Sequence, residues 1–153
     1  MRFLASLLLL LLLSSVASAQ GWRDVFISPG IKIGMSSGPE GGFTFGCEVS
    51  VTRGSGSWWY YGLVLGWDGS KAKRQKLHLG AELGAPLVGV EIGPTFVFDR
   101  DETRLAWTAT PYAGLVIYYY HSFTMLPDET IDEDGAFIKF PFRADGGPLI
   151  DFH

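Results

Sequence analysis

Ser50, His78 and Glu48 are the residue types of a nucleophile, its base and an orienting acid, and a hydrolase needs all three side by side. Their spacing does not supply that. His78 and Glu82 fall on one face of one strand, where four residues at ~3.3 Å each put them about 13 Å apart, too far for a direct hydrogen bond. Nothing local brings Ser50 or Glu48 to either. Glu48, His78, Glu82 and Glu91 could ligate a metal by type, but no ligand spacing joins them. The acidic stretch 128–134 lacks the Asp–Gly spacing of a calcium loop and reads as a solvated connection. His121-Ser122 follows a run of three tyrosines and reads as a polar position at an interface. Walker loops, dinucleotide turns and Gly-x-Ser-x-Gly elbows are missing. No catalytic residue, metal or cofactor is expected, and no binding residue stands out. Lys32, Glu48, His78, Glu82, Glu91 and Lys139 instead read as scattered single charges of mixed sign, able to pair as a structural network.

Those charges sit in strands, because the period is two almost everywhere. Phe43, Phe45, Cys47, Val49 and Val51 alternate with Thr44, Gly46, Glu48, Ser50 and Thr52. Leu77, Leu79, Ala81 and Leu83 alternate with Lys76, His78, Gly80, Glu82 and Gly84. Val88, Val90, Ile92, Pro94, Phe96 and Phe98 alternate with Gly89, Glu91, Gly93 and Thr95. Further strands are predicted over 25–35, 58–67, 105–123 and 136–143. Turn signals separate them at 36–42, 53–57, 68–74, 85–86, 99–103 and 126–135. That gives seven clear strands. An eighth could come from the tail 148–153, the preferred choice, or from a break within 105–123, which is twice the ~10 residues a membrane strand needs. The expected fold is all-β, an antiparallel up-and-down barrel of eight strands.

The face opposite the large apolar residues indicates which side is inside. A soluble sheet would carry many Lys, Glu and Asp there; here Gly, Ser and Thr dominate, as suits the cramped lumen of a narrow barrel. Charges concentrate in the connections, and Trp and Tyr cluster near strand ends, as in the girdles of membrane barrels. The pattern favours an apolar exterior in lipid.

The first residues have the three parts of a secretory signal peptide: Arg2, the apolar run Leu7 to Leu13, and Ala17-Ser18-Ala19 for cleavage. Residues 1–19 are therefore expected to be removed, leaving one domain over 20–153. No Cys stands at the cleavage site to take a lipid anchor. Cys47 is the only cysteine, which rules out an intramolecular disulfide. Sixteen acidic residues against twelve basic ones make nucleic acid a poor partner.

The chain at this point resembles the small outer-membrane β-barrel proteins of Gram-negative bacteria. The segments Ser28-Pro29-Gly30-Ile31-Lys32-Ile33-Gly34 and Gly42-Phe43-Thr44-Phe45-Gly46 also look like poorly characterised exported barrels. The resemblance implies a non-enzymatic barrel in the outer membrane, with outer-membrane lipid as its partner and a structural or envelope-interaction role. It carries no catalytic residue across. Such barrels end on an aromatic, whereas Phe152 is followed by His153. Two rival readings are a soluble periplasmic or secreted barrel with its Phe, Leu and Val face lining an apolar ligand cavity, and a lipid-modifying barrel enzyme.

Overall fold

A computed structural model of the chain describes residues 25–37, 41–54, 59–70, 74–99 and 102–145. The expected signal peptide and the tail 148–153 lie outside the described residues. β-branched and aromatic residues at every second position favour extended backbone, and the chain forms β1 (Val25–Ser36), β2 (Gly42–Gly54), β3 (Tyr60–Ser70), β4 (Gln75–Ala85), β5 (Val88–Phe98), β6 (Thr103–Gly114), β7 (Ile117–Met125) and β8 (Thr130–Lys139). Each strand pairs antiparallel with the next, and β8 pairs with β1, so eight strands close a ring. A two-residue β9 (Phe142–Arg143) continues β8 along β1, past a lapse in the ladder at Pro141, which has no N–H to donate.

The eighth strand does not come from the tail. It comes from the long run 105–123, which turns back at Leu115-Val116 to give β6 and β7. Only Gly114 marks the turn, and it does so through space rather than flexibility. A Cβ there would stand 2.2 Å from the Ile117 carbonyl oxygen. The acidic connection is also shorter than its composition suggests: β8 starts at Thr130, so Asp132, Glu133 and Asp134 are strand residues. Asp68 likewise belongs to β3 and not to the turn after it.

Following the register round the ring from Phe26 leads through Thr52, Gly62, Glu82, Glu91, Thr110, Ser122 and Glu133. The path returns to β1 at Ser36, ten residues beyond its start. A stagger of that size tilts the strands by roughly 40°. Eleven tilted residues then rise roughly 27 Å along the axis, close to the ~25 Å apolar band of a membrane barrel.

The connections differ between the two ends. The loop end joins β1–β2, β3–β4, β5–β6 and β7–β8. The turn end carries the two-residue turns Pro86-Leu87 and Leu115-Val116 and the longer β2–β3 connection, together with the start of β1 and the end of β8. Pro86 has the fixed φ that the first corner of a tight turn requires.

Candidate functional site

Alternation sends Lys32 of β1, Glu48 of β2, Asp68 of β3, Lys76, His78 and Glu82 of β4, Glu91 of β5, and Glu133 and Lys139 of β8 into the lumen. The opposite positions point outward: Ile31, Phe45, Leu79, Ile92, Leu105 and Trp107 are all well exposed. Glu91 is 0% exposed and Ile92 beside it 51%. The polar face is inside and the apolar face outside.

Two ion clusters occupy the middle of the lumen. In the first, Lys32 Nζ lies 2.5 Å from Glu48 and 3.3 Å from Glu91. Lys139 Nζ lies 2.9 Å from Glu48, 2.6 Å from Glu82 and 2.9 Å from Glu91. The Tyr112 hydroxyl donates to Glu82 and meets the Tyr60 hydroxyl at 2.6 Å. In the second, Lys76 Nζ is 2.6 Å from Glu133 and 4.0 Å from Asp68, while Thr44 and Tyr120 donate to Glu133. Five carboxylates thus face three lysines among the described lumenal residues.

His78 joins neither cluster by a hydrogen bond. Its Nδ1 meets Thr95 at 3.0 Å, and the chain continues through Thr108 to Thr124 across β5, β6 and β7. Ser50 Oγ and His78 Nε2 are buried without hydrogen-bond partners among the described residues. The types for a nucleophile, base and acid are therefore present but not joined. The structure brings Lys32, Glu48, Glu82, Glu91 and Lys139 together and leaves His78 on a separate hydroxyl ladder.

Aromatic rings stand beside the first ion cluster, and an apolar layer bounds the ions at the loop end. Phe137 packs on Tyr112, Tyr118 and Tyr120 with ring centroids 5.1 to 5.8 Å apart. Lys32 and Lys139 lie over the Phe137 ring at 5.5 and 5.2 Å, a cation–π arrangement. Towards the loop end, Val97, Ala106, Leu126 and Ile131 form a buried apolar cluster. Above it Arg74 and Arg104 bridge Asp99 and Glu129 at 2.6 to 3.2 Å. A cavity in the lumen, lined by Lys76, His78, Thr95 and Glu133, holds about 10 Å³, room for one water. This cavity and a second of about 10 Å³ beside Thr44, Asp68 and Arg74 are lined mainly by polar side chains, not by the Phe, Leu and Val face.

Tyr112, Tyr120, Asp68, Lys76 and Glu133 belong to the lumenal clusters but not to the expected network. The tyrosines read as interfacial, yet Tyr118 and Tyr120 point in while Tyr119 points out. Strict alternation through the tyrosine run was the signal that could have separated them. Glu133 had none, because β8 carries Ile131 and Phe137 inside with Asp132 and Asp134 outside, reversing the polarity of its neighbours.

No protein-family model and no curated protein matches the chain. Among solved structures it is similar to a chain from the de novo design of transmembrane β-barrels, with 10% identity, 79% of this chain and 98% of that one covered, and a TM-score of 0.42. It is also similar to the Yersinia pestis outer membrane protein Ail in a phospholipid bilayer nanodisc, with 12% identity, 74% and 99% coverage, and a TM-score of 0.40.

Proposed function

We propose that the protein is a small outer-membrane barrel of a Gram-negative envelope, exported by the signal peptide at 1–19 and cleaved near Ala19/Gln20. Its partner is membrane lipid, and its role is structural or lies in contacts made by its loop end rather than in catalysis. One observation carries this reading: the barrel is apolar outside and charged inside. A monomer in water rarely exposes a contiguous apolar patch beyond a few hundred Å², whereas here an outward apolar row runs round β1 to β7. Exposed aromatics near both ends, Trp59 and Tyr61 at one and Trp107 and Phe98 at the other, suit the two interfaces. The turns at 86–87 and 115–116 carry the exposed apolar residues Leu87, Leu115 and Val116, which suits insertion of that end into the headgroup layer. Short turns lie on the periplasmic side of such barrels, so the charged loop end faces out of the cell.

The filled lumen argues against a general porin. The test is fractionation of cells expressing the chain with its signal, followed by electrophoresis with and without boiling. Recovery in the outer membrane, migrating faster before boiling, is the expected result. Recovery in the soluble periplasm or medium would overturn the reading.

A further inference from the structure

The outward apolar row breaks along one strand pair. On the outward face of β8, Thr130, Asp132 and Asp134 follow one another down from the loop end, and His121 and Tyr119 of β7 close the line beside Asp134. At ~3.3 Å per residue and a tilt of roughly 40°, Asp134 lies about 10 Å below Thr130 along the axis, near the middle of the hydrocarbon. The stripe therefore starts at the rim, where Asp128 is exposed, and runs without an apolar interruption to the centre of the wall. Ionisable groups at that depth are costly and mark contacts or pathways.

What the stripe leaves open is acceptors. The Tyr119 hydroxyl donates to Asp134 Oδ1 at 2.5 Å, and His121 Nδ1 donates to the same oxygen at 2.6 Å. Asp134 Oδ2 and the Asp132 carboxylate have no hydrogen-bond partners among the described residues. On its other side His121 faces Pro111, where the β6–β7 ladder lapses between the pairs Ala109–Phe123 and Tyr112–Tyr120. Pro111 has no N–H to give the His121 carbonyl. These oxygens accept and cannot donate, whatever the charge on the imidazole. Lipid chains satisfy none of them. Ala109 of β6 and Ala136 of β8 flank the spot with small side chains, so a group lying on the wall can come close.

We propose that the β7–β8 stripe is a binding track for the primary ammonium headgroup of a phospholipid, which it draws from the loop-end leaflet down the wall to Asp134. Charge and hydrogen bonding select this headgroup. Two outward carboxylates call for a cation, and open acceptors call for N–H groups, which a primary ammonium has and a choline headgroup lacks. Continuity with the rim selects a lipid over the buried cation of a membrane protein, because a headgroup enters at the leaflet surface and meets Asp132 before Asp134. The outward positions of β7 and β8 carry no lysine or arginine, so a second copy meeting this seam face to face brings no cation to it. The proposal rests on the reading of this exterior as lipid-facing.

The test is a coupling reaction on the full chain in vesicles of phosphatidylcholine containing phosphatidylethanolamine. Dicyclohexylcarbodiimide dissolves in the bilayer and activates a carboxyl group. The activated group forms an amide with an amine in contact with it and rearranges to an acylurea where none is near. Mass spectrometry of the β8 peptide reports which product each aspartate carries. Amide-linked phosphatidylethanolamine on Asp134 is the expected result. Asp132→Asn removes the upper step and is expected to lower that adduct roughly fivefold, the ~1 kcal/mol of one charge at a membrane surface. Heat-modifiable migration checks that the variant is folded. In a folded membrane barrel, lipid adducts confined to Asp128 and Asp132, or acylurea alone on Asp134, would overturn the track and leave the membrane reading standing. Neither product on Asp134 would overturn it too, since that position is then closed to the bilayer. An adduct unchanged by Asp132→Asn would overturn the stepwise descent. Protein that stays in the soluble fraction would overturn both readings.

Discussion

Inside the barrel every lysine touches two or three carboxylates, whereas Glu82, Glu133 and Asp68 each touch a single lysine. Lys139 touches three glutamates, whereas Glu82 touches one lysine and one tyrosine. Removing one partner of a buried pair costs on the order of 3–5 kcal/mol, because the other charge is stranded. With carboxylates already in surplus, the two signs should not behave alike. Lys139→Met leaves Glu48 and Glu91 only Lys32 and strips Glu82 of its lysine, so it should lower the temperature at which the fast-migrating band is lost far more than Glu82→Gln does. Equal losses would mean that the lumen is wet enough to screen its ions. Glu48→Gln should weaken the barrel less than Lys139→Met, and an unchanged midpoint for it would count against a buried network. Much of this cluster was legible in the sequence, because Lys32, Glu48, Glu82 and Glu91 each alternate with large apolar neighbours. Glu133 was not, since its run mixes acids on both faces, and neither was Asp68, which opens a Gly-, Ser- and Lys-containing run that reads as a turn.

At the scale of elements, the split between β6 and β7 is the feature that period-two patterning hid. Leu115-Val116 are good strand residues, so composition gave no stop, and the turn rests on Gly114. A Cβ at Gly114 would press on the Ile117 carbonyl and lie 2.6 Å from Tyr118 Cα, both backbone atoms that cannot rotate away. Gly114→Ala should therefore cost about 1–3 kcal/mol, as overpacking does. Gly54→Ala at the end of β2, where a Cβ meets nothing within 4 Å, should stay within about 0.5 kcal/mol. Urea titrations in micelles would check both, and equal costs would sink the steric account.

The loop connections make a prediction of another kind. Partial burial pushes the Asp99 carboxyl up, but hydrogen bonds from Arg74 and Arg104 outweigh it and hold it below the usual carboxylate range. A depressed folded value means that the stabilisation is complete above the unfolded pKa of about 3.9 and is lost as pH falls through the folded one. Wild type should therefore melt above Asp99→Asn at pH 6, and the gap should close as pH drops below about 4. A gap that persists at low pH would show that Asp99 acts through shape rather than charge.

Taken whole, the molecule is a filled barrel: aromatic rings packed beside the first ion cluster, a second ion cluster, and an aliphatic cluster under a guanidinium–carboxylate cap at the loop end. An eight-stranded ring has an interior only just wide enough for its side chains, and Gly34, Gly89 and Gly135 yield their space to the Tyr120 and Tyr112 side chains. The class of fold and its inside-out polarity were readable from alternation alone. The filling was not, because it depends on the ten-residue stagger that sets Phe137 against Tyr112 rather than against its sequence neighbours. This filling opposes conduction for a physical reason. An ion must pass both clusters and then an apolar layer with room for single waters at most. Purified protein in a planar bilayer should give no steady conductance. Phe137→Ala alone should not open a path, since Lys32 and Lys139 still bridge the glutamates beside it. Lys32→Ala with Lys139→Ala should stay closed as well, because the Lys76–Glu133 pair, the aliphatic cluster and the arginine cap still fill the lumen towards the loop end. Wild-type currents of stable size would mean that the ion clusters open in the membrane, and the barrel would then be a channel.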